Sequence, residues 1–482
     1  VLLILYGVNA EVSVGQLFMA GFIPGLVSAL LYAAMIVVRV KLEPSLAGPV
    51  QEKATRDEKI AALKDVWPLP TLILLVLGGI FTGLFSPTEA GALGAGVVLS
   101  GGIGASAKLA EKLDAPVACN YQHNDAFPGS HPLAVGPLGY NGSKAAMELI
   151  SKADVVLALG TRLNPFSTLP GYGIDYWPKA AKLIQVDINS DRIGLTKKVS
   201  VAIQGDAKRV AEQILEQLDG AAGDTGRDAR VEEIRQTKAR WTQELASMDH
   251  EDDDPGTDWN ERARTREPDR MSPREAWRAI MDALPKEAII SSDIGNNCAI
   301  GNAYPSFDEG RKYLAPGLFG PCGYGFPAIL GAKVGRPDIP VVGFAGDGAF
   351  GISMNEMTAC GRGDWPAITM VIFRNYQWGA EKRNTTLWYE DNFVGTELNL
   401  GVEYAKIADA CGLKGVQVRG MEQLTEALET AVEEQMKGNV TTFIEVVLNQ
   451  ELGEPFRRDA MTAPNQVAGI DKADMRPQPL AS

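Results

Sequence analysis

The sequence is poor in the side chains from which hydrolytic and zinc sites are built. Only three histidines, His123, His131 and His250, occur in 482 residues, which leaves little room for a His-rich metal site or a Ser/His/Asp hydrolase. The five cysteines lie far apart and form no Cys-x-x-Cys pair. The sequence therefore indicates neither a disulfide framework nor a zinc site, and a reducing compartment fits best.

Runs of basic residues are also missing. The formal net charge is −14, which argues against a nucleic-acid partner because phosphate binding needs a basic surface. Apolar residues, in contrast, make up 45% of the chain. The length is enough for about three domains of roughly 150 residues each.

Two long uncharged runs, residues 17–38 and 66–85, stand near the start of the chain. Each is long enough to cross a hydrocarbon core of about 30 Å, whereas a third run at 90–99 is too short. The loop between the first two runs carries an excess of Lys and Arg, which predicts that it lies on the cytoplasmic side. Residues 1–99 are thus predicted to be a transmembrane segment, with buried helices of a soluble protein as the alternative.

Residues 1–99 resemble the tail half of the large permease subunit of TRAP-type transporters. The resemblance is carried by LFMAGFIPGLVSALLY at 17–32 and GGIFTGLFSPTEAGALGA at 78–95. The break at 86–89 is the kind of discontinuity that exposes helix ends to an ion or substrate. A plain connecting loop, in which Glu89 caps the next helix, is the open alternative.

After residue 99 the pattern changes to short apolar runs that alternate with charged amphipathic stretches, which is typical of a parallel α/β domain. We predict a central α/β domain at 100–220, an acidic helical linker at 221–270, a second α/β domain at 271–460 and a tail at 461–482. Within the central domain, the runs predict strands at 116–119, 155–159, 183–186 and 201–203, and helices at 108–113, 143–150 and 207–218.

The second α/β domain begins with a helix-start signal. Ser272 is a candidate N-cap, Pro273 fits the first helical position and Glu275 stands at the third. Together these residues predict a capping box.

The strongest motif is VVGFAGDGAF at 341–350, followed by an amphipathic helix and a buried strand that ends before Asn375. A strand would deliver Asp347 to the carboxyl edge of a parallel sheet, where ligands bind in such folds. Gly346 and Gly348 let the backbone approach a diphosphate closely. A hard divalent cation takes oxygen ligands, so Asp347 and Asn375 are predicted to clamp one ion.

The motif resembles the Gly-Asp-Gly to Asn motif of thiamine-diphosphate enzymes. The resemblance implies thiamine diphosphate and Mg²⁺ as cofactors, with Asp347, Asn375 and the backbone carbonyl of Gln377 as metal ligands. It also implies that Gly346, Gly348 and Ala349 contact the cofactor. Arg374 departs from the family pattern, which has a second asparagine there. The implied fold class is α/β, with two doubly wound parallel-sheet domains after the transmembrane segment.

Two further stretches agree in position with the same family. Cys322, in GPCGYGFP at 320–327, stands where relatives place an apolar side chain against the cofactor; a buried structural cysteine is the alternative. Gly295, Asn296 and Asn297 follow a short predicted strand, and the family uses these positions to contact the diphosphate. Plain helix capping is the alternative for them.

Longer runs are similar to the sulfoacetaldehyde acetyltransferase family. They lie at 121–125, 136–147, 375–388 and 391–398, within a resemblance that covers residues 100 to about 460. This family converts sulfoacetaldehyde and phosphate into acetyl phosphate and sulfite, so the resemblance implies small-molecule substrates and a homo-oligomer. Arg374, Lys382 and Arg383 are candidate anion contacts.

Enzymes of this family have a further α/β domain, which supplies the glutamate that activates the cofactor. The transporter-like segment stands in its place, so no activating glutamate is assigned. Three hypotheses follow: an acetyltransferase completed by another chain, a transporter fragment with a catalytically silent cofactor-binding domain, and a non-functional fusion. The α/β domains are expected to be cytoplasmic, and membrane-associated if residues 1–99 insert.

Overall fold

The computed structural model describes residues 35, 39, 98, 100–139, 141–218, 227–247, 269–316, 320–388 and 392–452. The predicted transmembrane segment and the predicted tail lie outside these residues, apart from Met35, Arg39 and Val98. Within the described ranges, no helix has both the length and the apolar character needed to cross a membrane. The chain divides into two compact units, Val1–Leu93 and Gly94–Ser482.

The first half of the second unit contains two small parallel sheets, one with strand order β1-β2 and one with order β3-β4-β5. The strands are β1 Val117–Asn120, β2 Ala134–Leu138, β3 Val155–Leu159, β4 Lys182–Asp187 and β5 Val201–Gln204. The helices are α1 Ile103–Leu113, α2 Lys144–Ile150, α3 Ala207–Leu218 and α4 Arg227–Ser247. The predicted α/β pattern is confirmed, although β2 was not predicted and α1 begins five residues before the predicted helix.

Local side-chain chemistry explains where α2 begins. The Ser143 hydroxyl accepts a hydrogen bond from the Ala146 amide at 3.2 Å, which is the N-cap interaction expected of serine. The helix then buries Ala146, Met147 and Leu149 against the apolar core of this half.

The second half contains one six-stranded parallel sheet with strand order β10-β11-β9-β8-β6-β7. Its strands are β6 Ile289–Ser292, β7 Tyr313–Leu314, β8 Val341–Gly346, β9 Thr369–Arg374, β10 Lys414–Val418 and β11 Thr442–Val447. Its helices are α5 Pro273–Ala283, α6 Asn296–Ile300, α7 Gly325–Gly335, α8 Asp347–Ser353, α9 Met357–Cys360, α10 Gly379–Trp388, α11 Tyr404–Ala410 and α12 Met421–Lys437. The single helix predicted between β8 and β9 is interrupted, since α8 and α9 are joined by a 3-10 turn at Met354–Glu356.

Alternate residues of the central strands point to opposite faces of this sheet, as the pleat requires. Val342 and Phe344 pack with α5 and α12 on one face. Val341 and Ala345 pack with α7, α9 and α11 on the other. Both faces are largely apolar and covered, so exposed polar groups are expected mainly where the strands end.

The predicted start of the second α/β domain is present in the structure. The Ser272 hydroxyl accepts from the Glu275 amide at 3.1 Å, and the Glu275 carboxylate accepts from the Ser272 amide at 2.7 Å. This capping box aims α5 along the sheet, where Trp277 packs on Phe344 and Phe373 with ring centroids 4.8 and 5.3 Å away.

A loop after β1 joins the first half to the six-stranded sheet. The Asp125 carboxylate accepts from the amides of Lys312 and Tyr313 at 3.0 and 3.3 Å. The Asn124 amide donates to the Asn302 carbonyl at 2.9 Å. These buried bonds connect the loop to the start of β7, so the two halves share one interface.

Candidate active site

Three buried polar side chains follow three neighbouring strands of the six-stranded sheet. Asp293 follows β6, Asp347 follows β8 and Asn375 follows β9, and each is at least 97% buried. The strands are parallel and adjacent, so these residues meet at one edge. β7 lies on one side of β6 and β8 lies on the other, so the direction in which the chain adds strands reverses at β6. Ligands bind at such reversal points.

Asp347 links the end of β8 to the loop after β9. One carboxylate oxygen accepts from the Gly348 amide at 3.0 Å, and the other accepts from the Tyr376 amide at 2.7 Å. Burial raises the pKa of Asp347 to about 7, and the positive charge of Arg374 opposes the rise. Among the described residues no Lys or Arg pairs with this carboxylate, which makes it a buried acid able to receive a cation.

Asn375 brings the loops after β6 and β9 together. Its side-chain amide donates to the Asn297 side-chain oxygen at 3.3 Å. Asn297 in turn is held by its backbone carbonyl, which accepts from the Trp277 indole at 2.8 Å. Two of the predicted site residues are therefore in direct contact, and a core tryptophan fixes one of them.

Gln377 forms an antiparallel bridge with Glu397. The bonds on either side run from Trp378 N to the Thr396 carbonyl and from Leu398 N to the Tyr376 carbonyl, both at 2.8 Å. The Gln377 backbone groups therefore point away from residues 396–398. Its side-chain amide nitrogen donates to the Gln450 carbonyl at 3.0 Å, whereas its buried side-chain oxygen has no partner among the described residues.

Asn296 has the same unbalanced arrangement. Its side-chain nitrogen donates to the Glu451 carbonyl at 3.2 Å, and its buried side-chain oxygen has no partner among the described residues. The preceding Gly295 has φ 141°, which side chains disfavour, and a Cβ placed there would meet no heavy atom within 4 Å. The space in front of this turn is open.

The motif around Asp347 is open on one side and closed on the other. A Cβ on Gly346 would meet nothing within 4 Å, but a Cβ on Gly348 would lie 2.9 Å from the Trp378 ring. Ala349 is buried. Gly346 thus leaves room for a ligand, while Gly348 is needed for the close approach of Trp378.

Cys322 lies in the loop that Asp293 holds. The Asp293 carboxylate accepts from the amides of Gly323 and Gly325 at 3.1 and 2.7 Å, and burial raises its pKa. Cys322 is half-buried, and burial followed by the charges of Asp293 and Glu381 raises its pKa. The thiol is therefore neutral at pH 7, as a packing contact requires.

The segment after β11 was not predicted as part of the site. Residues 449–452 are all buried, and two of their carbonyls, those of Gln450 and Glu451, accept the side-chain bonds of Gln377 and Asn296. Residues 449–451 are polar and stand near the predicted end of a domain, so the sequence did not indicate that they are buried. The backbone of this segment therefore holds the side chains of two candidate cofactor residues.

The three candidate anion contacts are used within the protein. Arg374 pairs with Glu445 at 2.5 Å, Lys382 pairs with Glu397, and the Arg383 guanidinium donates to the Leu452 carbonyl at 3.5 Å. All three side chains are buried. Arg374 also donates to the Leu400 carbonyl, so these pairings give its guanidinium a role within the protein, and the anion contact stays a prediction.

The arrangement can hold a cation and an anion side by side. In the described part of the chain, no cluster of three or more His, Cys, Asp or Glu side chains could hold a metal. A ligand set of one carboxylate, one amide and one carbonyl would instead leave coordination positions for phosphate oxygens. The edge therefore suits a metal that arrives together with a phosphorylated cofactor.

Three known families match parts of the chain. Residues 293–446 match the C-terminal TPP binding domain of thiamine pyrophosphate enzymes, and residues 92–214 match the central domain of the same enzymes. Residues 1–112 match the DctM component of the tripartite ATP-independent periplasmic transporter.

Several curated proteins are similar over most of the chain. A probable sulfoacetaldehyde acetyltransferase of Rhizobium meliloti is 77% identical over 385 residues, which cover 80% of this chain and 65% of that protein. Sulfoacetaldehyde acetyltransferases of Roseovarius nubinhibens and Rhodobacter capsulatus are 74% and 73% identical, with 64% and 65% of their lengths covered. The chain thus spans about 65% of the length of these relatives.

Proposed function

Because the chain carries the central and the C-terminal TPP-binding domains of thiamine pyrophosphate enzymes, we propose that it binds thiamine diphosphate through a divalent cation at Asp347. We further propose that it serves the conversion of sulfoacetaldehyde and phosphate into acetyl phosphate and sulfite. Identity of 73–77% to sulfoacetaldehyde acetyltransferases supports this choice of substrates. The observation that carries the proposal is the buried carboxylate of Asp347 at the reversal point of the sheet, which pairs with no Lys or Arg of the described residues.

The residues at this edge fit the cofactor. Asp347 is buried with a raised pKa, and such a carboxylate is stabilised by a bound cation. Two buried side-chain oxygens, on Asn296 and Gln377, have no partner among the described residues. Open space in front of Gly295 and Gly346 leaves room for a diphosphate.

Each residue has a distinct part in this proposal. Asp347, Asn375 and the Gln377 carbonyl would hold Mg²⁺. Asp347 must be ionised to do so. The turn at 295–297 faces the diphosphate, and Cys322 packs against the organic part of the cofactor. When bound, thiamine diphosphate supplies the nucleophilic carbon of the reaction.

The wider assignments belong to the same proposal. Helices on both faces of the six-stranded sheet support a doubly wound cofactor domain at 271–460, and the β3-β4-β5 sheet supports a doubly wound central domain at 100–220. Residues 221–270 form the linker between them, part of which is α4. A homo-oligomer through the α/β domains, as the family resemblance implies, would bring a second copy to the site.

A direct test uses the full chain freed of divalent cations. Thiamine diphosphate is titrated calorimetrically with and without Mg²⁺, and sulfite and acetyl phosphate are then assayed after sulfoacetaldehyde and phosphate are added. We expect binding that requires Mg²⁺, and sulfite release that requires phosphate. Binding of equal strength without Mg²⁺ would contradict the cation site, and an absence of binding would contradict the cofactor assignment.

The match of residues 1–112 to a transporter component favours one alternative, a permease fragment with a catalytically silent cofactor-binding domain. This alternative predicts Mg²⁺-dependent cofactor binding without release of sulfite. The same titration and assay separate the two functions, because only an acetyltransferase forms both products.

A further inference from the structure

A buried ion pair stands directly beside the candidate metal residues. Arg374 is the last residue of β9 and Glu445 lies on the neighbouring strand β11, with 4% and 0% of their side chains exposed. Arg374 Nη1 and Glu445 Oε1 are 2.5 Å apart. Burying two charges is costly unless they are paired and their remaining hydrogen bonds are made.

Here the remaining hydrogen bonds reach beyond the two strands. Arg374 Nη2 donates to the Leu400 carbonyl at 2.7 Å. Glu445 Oε2 accepts from the Ala405 amide, at the start of α11, at 3.0 Å. The pair therefore attaches residues 400–405 to the end of β9 and to the interior of β11.

The same guanidinium contacts the residue between two predicted metal ligands. Tyr376 has a left-handed backbone with φ 60°, which is unfavourable for a tyrosine. The Arg374 guanidinium lies over the Tyr376 ring, 4.6 Å from its centroid. The Tyr376 amide donates to Asp347, and its carbonyl accepts from Leu398 at 2.8 Å.

This geometry determines where the ligands point. Asn375 precedes the left-handed residue and Gln377 follows it, so the backbone angles of Tyr376 set the direction of the Gln377 carbonyl relative to the Asn375 side chain. Contacts to Asp347, to the segment at 398–400 and to Arg374 hold those angles. The Arg270 guanidinium also lies over the Tyr376 ring, 4.8 Å from its centroid. Arg374 differs in that it also pairs with Glu445 on the neighbouring strand and donates to the Leu400 carbonyl.

We propose that Arg374 and Glu445 are positioning residues for the divalent cation, which they serve by holding Tyr376 in its left-handed conformation. The inference rests on the proposed function, because it concerns the cation that binds thiamine diphosphate. Neither residue touches the cation. Their effect passes through the direction of the Asn375 and Gln377 ligands.

The test replaces both charges together, as Arg374→Met/Glu445→Met in the full chain, so that no single charge is left buried. Apolar replacements of a buried pair are often tolerated by the fold, and thermal unfolding checks this. The readout is the Mg²⁺ dissociation constant, taken from the Mg²⁺ dependence of thiamine diphosphate binding in the calorimeter. We expect it to rise by roughly 10- to 100-fold, the range for residues that orient metal ligands.

A second variant, Arg374→Lys, keeps the charge but cannot donate to both Glu445 and Leu400 with one planar group. We expect a smaller rise in the Mg²⁺ dissociation constant, and cofactor binding restored at saturating Mg²⁺. This variant decides the question if the double variant does not fold.

The matched control is Lys414→Met/Glu434→Met. This pair joins β10 to α12 at 2.6 Å, with 38% and 36% of its side chains exposed, and it lies outside the cofactor edge. We expect no change in the Mg²⁺ dissociation constant. If a folded Arg374→Lys or Arg374→Met/Glu445→Met variant bound Mg²⁺ with wild-type affinity, the positioning role would be overturned and the proposed function would stand. Failure of the wild-type protein to bind would instead overturn the proposed function.

Discussion

The two α/β halves of the second unit bury their sheets to different degrees. In the six-stranded sheet, every residue of β9 and β11 is buried. In the β3-β4-β5 sheet, both outer strands carry exposed valines, Val155 at 51% and Val201 at 48%. Burying a polar group is costly in the six-stranded sheet and less costly in the more exposed sheet. A buried polar cluster therefore points to a functional site mainly in the six-stranded half.

Two aspartates at strand ends illustrate the difference. Asp187 ends β4 and accepts from the Asn189 amide two residues later at 2.9 Å, which is a local turn. Asp347 follows β8 and accepts from Tyr376, which lies beyond another strand. Both are buried at the carboxyl end of a parallel strand. Position alone does not make a site, and the long-range bond is what distinguishes Asp347.

The largest effect is expected when each of these two aspartates is replaced by alanine. Asp347→Ala removes the only carboxylate of the proposed cation site, so we expect the affinity for thiamine diphosphate with Mg²⁺ to fall on the order of 100-fold or more. Asp187→Ala removes a turn bond and should cost about 1 kcal/mol of stability without changing cofactor affinity. Calorimetric titration and urea unfolding of both variants measure the two quantities. Equal loss of affinity in both would show that the difference between the two aspartates is not functional.

A smaller effect is expected from two glycines that each stand close to a neighbour. Gly348→Ala places a methyl group 2.9 Å from the Trp378 ring, and displacement of that ring should weaken cofactor binding by about 10-fold. Gly139→Ala, in the first half, has φ 91° and would place its Cβ 2.4 Å from the Phe166 carbonyl. It should lower stability by a few kcal/mol, with unchanged cofactor affinity in the protein that remains folded. A Gly348→Ala variant with wild-type affinity would show that Trp378 can move freely.

The pH dependence is expected to be more modest. Burial raises the pKa of Asp347 from its usual value to about 7, so the protonated acid is favoured in the folded state. Its contribution to stability is complete below the unfolded pKa near 4 and is lost as pH rises through about 7. Without Mg²⁺, the unfolding temperature should therefore fall between pH 5 and pH 8, and Asp347→Asn should remove this part of the fall.

Cofactor binding should follow the opposite trend, because Mg²⁺ requires the deprotonated carboxylate. Affinity for thiamine diphosphate with Mg²⁺ should rise as pH increases from 6 to 8. Thermal unfolding and calorimetry across this pH range check both trends. An Asp347→Asn variant that keeps the wild-type pH slope would assign the dependence to other groups.

The sequence allowed much of the regular structure to be predicted. The bounds of β3 and α3 agree with the predicted 155–159 and 207–218, and the capping box at Ser272 is present. These elements have local causes, namely period, propensity and capping. β2 was missed because Ala134–Leu138 contains both a glycine and a proline, which are unusual within strands.

The candidate site was less predictable. Spacing placed Asp347 and Asn375 on adjacent strands, but the roles of Glu445 and residues 449–452 depend on strand order, which no local pattern encodes. The pairing of Arg374 was not predicted for the same reason. A basic residue beside a phosphate motif suggests an anion contact, whereas its partner Glu445 lies 71 residues away.

The smallest expected effect concerns an ion pair in the less buried half. Arg240 on α4 and Glu148 on α2 are 2.6 Å apart, with 57% and 26% of their side chains exposed. Such a pair contributes at most about 1 kcal/mol, so Arg240→Ala should lower the free energy of unfolding only slightly, and less at high salt. Urea unfolding at low and high ionic strength measures this. If Arg240→Ala lowered the free energy of unfolding by about 3 kcal/mol at high salt as well, the pair would behave like a buried ion pair. The two halves would then differ less in their electrostatics than their burial indicates.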